Sequence, residues 1–337
     1  MKGALVIGMV LAHSLQLLSK PKGIFAYFST TINLITFSGF FLCFGYVFYL
    51  AYLSKPFEQV GGKIAKTAGK SLLAYYLSGF SSFLMLYPRF MHKPYPLSFE
   101  ELYQLVTFTK AAWVSEFLLT FFVITLLVLV FFKGFQYLAN SPKAMLGLGV
   151  ACLLTAIFLP PNLVVIRPLA LLVGTKGEYL FPIVQYLPIF LVGLYFAKYK
   201  VVWHPMILIL SGLGTILLMG YYVRNRVMPP EFVPSIFWLV GSYGILYAYL
   251  LAAKWLERQS YTIEWLLSVG RNTLFYLLVS NFILFALGTH IQTAPWMAFL
   301  VGITILLSIG FLISLLTPAS KPRYTPAARE QPVESLS

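Results

Sequence analysis

The chain has 337 residues, of which 59% are hydrophobic, 17% aromatic and 10% charged, and its mean hydropathy is +0.83. A soluble domain carries about 25% charged residues, so this composition excludes an ordinary water-soluble enzyme, and the aromatic content excludes a disordered or collagen-like chain. The 24 Lys and Arg against 10 acids give a formal charge of +14. Basic loops of an integral membrane protein account for that excess without any nucleic-acid partner.

A membrane helix needs about 20 predominantly apolar residues. Ten segments meet that pattern, which predicts an all-α polytopic bundle of about ten transmembrane helices over residues 1–317. In chain order they are Gly3 to Leu18, Thr31 to Leu53, Ser71 to Leu86, Val114 to Phe132 and Ala144 to Leu159. Then come Leu180 to Ala197, Pro205 to Val223, Phe232 to Ala253, Asn272 to His290 and Pro295 to Leu316. The runs lack the alternation of a lipid-facing strand, which argues against a β-barrel.

Between the third and fourth spans, SFEELYQLVTF reads as a surface helix capped by Ser98 with Glu101 three residues on. The stretch from Leu163 to Val173 is short and interrupted by Pro168, so it reads as interfacial or re-entrant. The tail 318–337 reads as a disordered cytoplasmic extension. The first span resembles a signal peptide in its single Lys, but His13 and Gln16 lie inside it and no small-x-small site follows. It is expected to be retained.

Alternate loops divide the Lys and Arg as 15 on one side against 9 on the other. The richer side holds both termini, which places them in the cytoplasm of an inner or plasma membrane. Cys43 and Cys152 sit in apolar runs, and His13, His92, His204 and His290 are scattered without paired spacing. Neither a disulfide nor a metal site is expected.

Ionisable groups at membrane depth are costly and are functional candidates. His13 lies eleven residues after Lys2, which on a helix is three turns plus about 20°, or about 16 Å along one face. Such a Lys would attract an anion at the cytoplasmic surface, and a neutral imidazole at mid-depth can take a proton from an alcohol. The equally bland reading is a topological Lys and a His hydrogen-bonded within the bundle. GGKIAKTAGK in the loop between the second and third spans sets Lys63, Lys66 and Lys70 at helical spacing. SVGRNTLFY places Arg271 where the ninth span opens, and both features suit phosphate or anionic lipid. Toward the opposite face, Trp113, Glu116 and Glu178, with Ser280 and Asn281 inside the ninth span, suit a carbohydrate. Trp113 alone also fits an interfacial aromatic belt.

Taken in order, these segments resemble the acyltransferase-3 family of integral membrane acyltransferases. Lys2 to His13 is similar to its Arg/Lys-x10-His motif, and GFFLCFGYVFY to its Phe-Phe-x-x-Ser-Gly-Tyr segment. The run Lys63, Lys66, Lys70 is similar to its basic loop, YLPIFLVGLYFAK to its Phe-x-x-Gly-Tyr helix, and VGRNTLFYLL to its Gly-Arg-Asn-Ser-Leu-x-x-Tyr segment. Phe44 stands where that family usually has Ser, and Ser280 where many members have a second His. The resemblance implies transfer of an acyl group, commonly acetyl, from cytoplasmic acyl-CoA to a carbohydrate of an envelope or exported polysaccharide. It would make His13 the catalytic base or transient acyl acceptor, with Lys2, Lys63, Lys66 and Arg271 holding CoA phosphates. Trp113, Glu116 and Asn281 would contact the acceptor. A transporter or flippase for lipid-linked or acylated sugars is the rival reading, though such a protein would be expected to show pseudo-symmetric halves. A catalytically inactive relative is the third.

Overall fold

The computed structural model describes residues 1–85, 99–109, 115–158, 171–174, 181–230, 234–259 and 263–316. Trp113, Glu178, Ser98, the tail 318–337 and most of the 163–173 stretch fall outside them. The described chain is helical without strands. In chain order the helices are α1 (Lys2–Leu18), α2 (Ile24–Phe48, prolonged by a π turn at Tyr49–Leu53), α3 (Phe57–Met85) and α4 (Phe99–Val106). They continue with α5 (Glu116–Val130), α6 (Phe132–Asn140), α7 (Pro142–Phe158), α8 (Ile183–Lys198) and α9 (Pro205–Asn225). The last five are α10 (Ile236–Gly241), α11 (Tyr243–Arg258), α12 (Glu264–Arg271), α13 (Thr273–His290) and α14 (Pro295–Leu316).

Five described segments are long and apolar enough to cross a membrane: α2 with its π turn, α9, α10 with α11, α13 and α14. A sixth is available if α5 and α6, which meet at 90°, form one broken span. The expected figure of about ten is therefore met for five or six. Helices α1, α7 and α8 coincide with expected spans but have 17, 17 and 16 residues, or about 24–26 Å at 1.5 Å per residue. The apolar hydrocarbon is about 30 Å thick.

Two boundaries moved for identifiable reasons. The basic run around Lys63, polar enough to suggest a loop, lies inside α3. There Val60, Ile64 and Ala68 bury one face at intervals of four residues, while Lys63, Lys66 and Lys70 stay exposed. Arg271 closes α12, and the chain breaks at Asn272 before α13 begins. Asn272 Nδ2 donates to the Ser268 carbonyl across that break (3.0 Å).

The helices share two ends. At one, Gln136 Nε2 of α6 donates to the carbonyls of Leu53 and Lys55 (both 3.1 Å), satisfying groups that the end of α2 leaves unpaired. Lys198 Nζ stands 5.8 Å over the Tyr49 ring, and the start of α1 lies against Gly270 of α12. At the other end the Thr293 amide donates to the Leu18 carbonyl (2.8 Å), and Tyr27 meets Tyr222 edge-on at 5.0 Å.

Helix α1 lies innermost, against α2, α12, α13 and α14. Small residues permit this: a Cβ on Gly3 would strike the Leu266 carbonyl, and one on Gly302 would come within 2.6 Å of Ser14 Oγ. Helices α2 and α8 cross through Gly45 and Gly193. A Cβ on either would land on the opposing backbone, at the Phe190 or the Leu42 carbonyl. Close backbone approach through small residues is how apolar helices associate where lipid supplies no hydrophobic drive between them.

Candidate functional site

Twelve residues of α1 lead from Lys2 to His13 without a break. His13 is 5% exposed, and its Nδ1 stands 2.9 Å from Oδ1 of Asn281 on α13. Asn281 is itself 1% exposed, and its Nδ2 has no acceptor among the described residues. An amide oxygen accepts only, so in this orientation the imidazole carries its proton on Nδ1 and keeps a lone pair on Nε2. The two residues are 268 positions apart. Their meeting depends on α1 packing along α13, which buries Asn281 on one face together with Leu277, Leu284 and Gly288.

His13 also lines a small cavity between α1, α2 and α5. Its walls are Met9, Thr36, Phe37, Phe40, Phe41, Phe117 and Phe121, so His13 and Thr36 are the polar groups in an aromatic shell. The space holds about one water molecule. Entry of anything larger requires the phenyl rings to turn aside. The rings interlock beyond the cavity: Phe44 lies 4.8 Å from Phe121, 5.2 Å from Phe48 and 5.4 Å from Phe190. A ring at position 44 fills this crossing where a Ser would leave a void.

The expected site residues separate into three groups. Lys2 and Arg271 come to the same end, since Lys2 Cβ lies 3.8 Å from where a Cβ on the neighbouring Gly270 would stand. Lys63 and Lys66 are exposed on the first half of α3, which joins that end where Tyr52 and Thr67 share a hydrogen bond of 2.8 Å. Glu116, expected toward the opposite face as an acceptor contact, is 5% exposed at the start of α5. The adjoining Ser115 Oγ donates to Ser78 Oγ of α3 (2.6 Å), and this α3–α5 packing closes over the carboxyl's neighbourhood. Asn281 lies beside His13. Trp113 is outside the described residues. Ser280 donates to the Leu277 carbonyl of its own helix (3.2 Å).

The residues that sequence reasoning missed are those walling the cavity, above all Thr36 and Phe121. No local pattern separates them from the many other apolar positions of α2 and α5. Among the described residues no cluster of three His, Cys, Asp or Glu could hold a metal ion. No protein-family model matches the chain, and no curated protein or solved structure matches it either.

Proposed function

We propose that this chain is a membrane-embedded O-acyltransferase of about ten spans, both termini cytoplasmic. It moves an acyl group, with acetyl the expected one, from acyl-CoA to a hydroxyl of an envelope or exported carbohydrate. The observation that carries the reading is the buried hydrogen bond between His13 and Asn281 at the edge of a cavity. An imidazole at this depth is expensive to keep unless it has a partner and a task. Asn281 holds the ring in one orientation without neutralising a charge, which suits a base more than a structural ion pair.

In the reaction, Nε2 of His13 takes the proton of the acceptor hydroxyl while its oxygen attacks the thioester carbonyl. The tetrahedral adduct collapses, the carbon–sulfur bond breaks, and the departing CoA thiolate recovers the proton from the imidazolium. Lys2 and Arg271, at the end of α1 about 16 Å from His13, supply charge-assisted contacts for the donor's phosphates. Exposed Lys63 and Lys66 add attraction at longer range.

The test is His13→Ala, purified in detergent and assayed for folded yield, acyl-CoA binding and transfer. General-base loss lowers turnover by about 10²–10⁴-fold, with yield and acyl-CoA binding unchanged. Turnover near the wild-type rate would overturn the assignment.

A further inference from the structure

Beyond that reading, a second charged region lies at the far end of the bundle from Lys2. Tyr27, near the start of α2, meets Tyr222, near the end of α9, at 5.0 Å. The two helices run antiparallel, since Leu34 and Leu218 also share a buried cluster with Trp238. This register sets the segment just before α2 beside the segment just after Tyr222. The first segment carries Lys20 and Lys22, and the second carries Arg224 and Arg226; all four side chains are exposed.

Arg226 is in the left-handed region, with φ of 58°, so the chain turns sharply there and does not continue the helix away from the patch. Gly23, with φ of 56° and open space around it, makes the matching turn before α2. Neither segment contains an acid, and the chain has no Asp. Glu231, the acid nearest in sequence, lies outside the described residues.

Four cations from two segments are more than helix termination requires, and the apolar residues among them indicate what they face. Ile24 is 79% exposed, and Val223 and Val227 are 61% and 58% exposed. Cations interleaved with uncovered aliphatic side chains belong at the level where a lipid's charged head meets its tails. Arg forks match phosphate oxygens in pairs, and Lys adds point charge.

We propose that Lys20, Lys22, Arg224 and Arg226 form a phosphate-recognition site at this end of the bundle, filled by the phosphate of a lipid headgroup. The site is independent of His13 and would stand if the chain proved to have no transferase activity.

The test uses the full-length protein in detergent with two probes: phosphatidylglycerol, its retention read by native mass spectrometry against phosphatidylcholine, and inorganic pyrophosphate, read by calorimetry. The variant is Lys22→Gln/Arg226→Gln, and the control is Lys133→Gln/Lys143→Gln, exposed cations at the opposite end. At about a factor of five per cation near a membrane surface, the variant should retain phosphatidylglycerol at least about tenfold more weakly than wild type or control. The charge-conserving Lys22→Arg/Arg226→Lys should retain it more tightly than the neutralised variant does. A fall for phosphatidylglycerol alone supports the lipid headgroup. A fall for pyrophosphate as well supports phosphate recognition that does not need the lipid tails. Unchanged binding of both probes, or an equal fall in the control, overturns the proposal.

Discussion

Helices α1 and α9 are opposites. Helix α9 is 21 residues of nearly continuous apolar sequence, yet only 11% of its span is buried within the protein. Helix α1 has 17 residues and buries most of its length, His13 and Ser14 included. The two helices are about equally hydrophobic on average, so hydrophobicity does not decide which of them lies inside. The difference follows from the solvent: where lipid surrounds the bundle, an outward aliphatic face loses nothing, and buried polar groups such as His13 need partners inside the protein. Burial in this molecule therefore tracks polarity and small side chains more than hydrophobicity.

Three substitutions probe that contrast. The largest structural effect is expected at the inner crossing. Gly193→Val would drive a side chain into the Leu42 carbonyl and the Tyr46 amide. Overpacking of this kind commonly costs about 1–3 kcal/mol, and more where backbone must move. The expected result is a large loss of monodisperse protein on size-exclusion chromatography in detergent. Wild-type yield and melting temperature would show that α2 and α8 do not pack as closely as described.

A smaller effect is expected at the polar pair. Asn281→Leu removes the acceptor from His13 Nδ1 and at the same time removes an unpaired buried donor, so the two changes partly offset one another. Stability should fall by about 1 kcal/mol. The diagnostic readout is the ring: ¹⁵N spectra, with His13 assigned from His13→Ala, should show Nδ1 protonated in wild type and a changed tautomer in the variant. Asn281→Asp, which still accepts but adds a negative charge, should keep Nδ1 protonated and favour the doubly protonated ring. An Nε2-protonated wild-type ring would mean that the amide faces His13 with its nitrogen, and His13 would then lose its base at the cavity.

The smallest effect belongs on the outer helix. Ile216 of α9 is 66% exposed, so Ile216→Ala in a lipid nanodisc should shift the melting temperature by no more than a typical surface change, within about 0.5 kcal/mol. A loss on the scale of Gly193→Val would mean that α9 is covered by another protein surface, and the inside-out contrast would need redrawing.

Much of the fold was legible because apolar runs and helical period are local properties. Every expected span overlaps helix among the described residues, though the fourth reaches the 90° break between α5 and α6 and the eighth is divided between α10 and α11. The polar exceptions within those runs, His13 and Asn281, stand out by residue type alone. The sequence could not supply the length needed to decide between spanning and half-buried helices, since α1, α7 and α8 lie a few residues short of a bilayer and tertiary packing sets their depth. It also concealed α3's first half, because exposed Lys and Gly lower hydropathy while leaving the helical backbone intact.

What the amino-acid sequence indicated by itself is the class of solvent: long apolar runs without strand alternation suit helices that satisfy their own backbone in lipid. Which polar groups would meet was a different matter. His13 and Asn281 lie 268 residues apart, and a hydrogen bond needs both placed to within a fraction of an ångström. Only the packing of α1 along α13 decided that they face one another. The same holds for the cations at the far end: each is an ordinary loop residue in the sequence, and the antiparallel register of α2 and α9 is what gathers them.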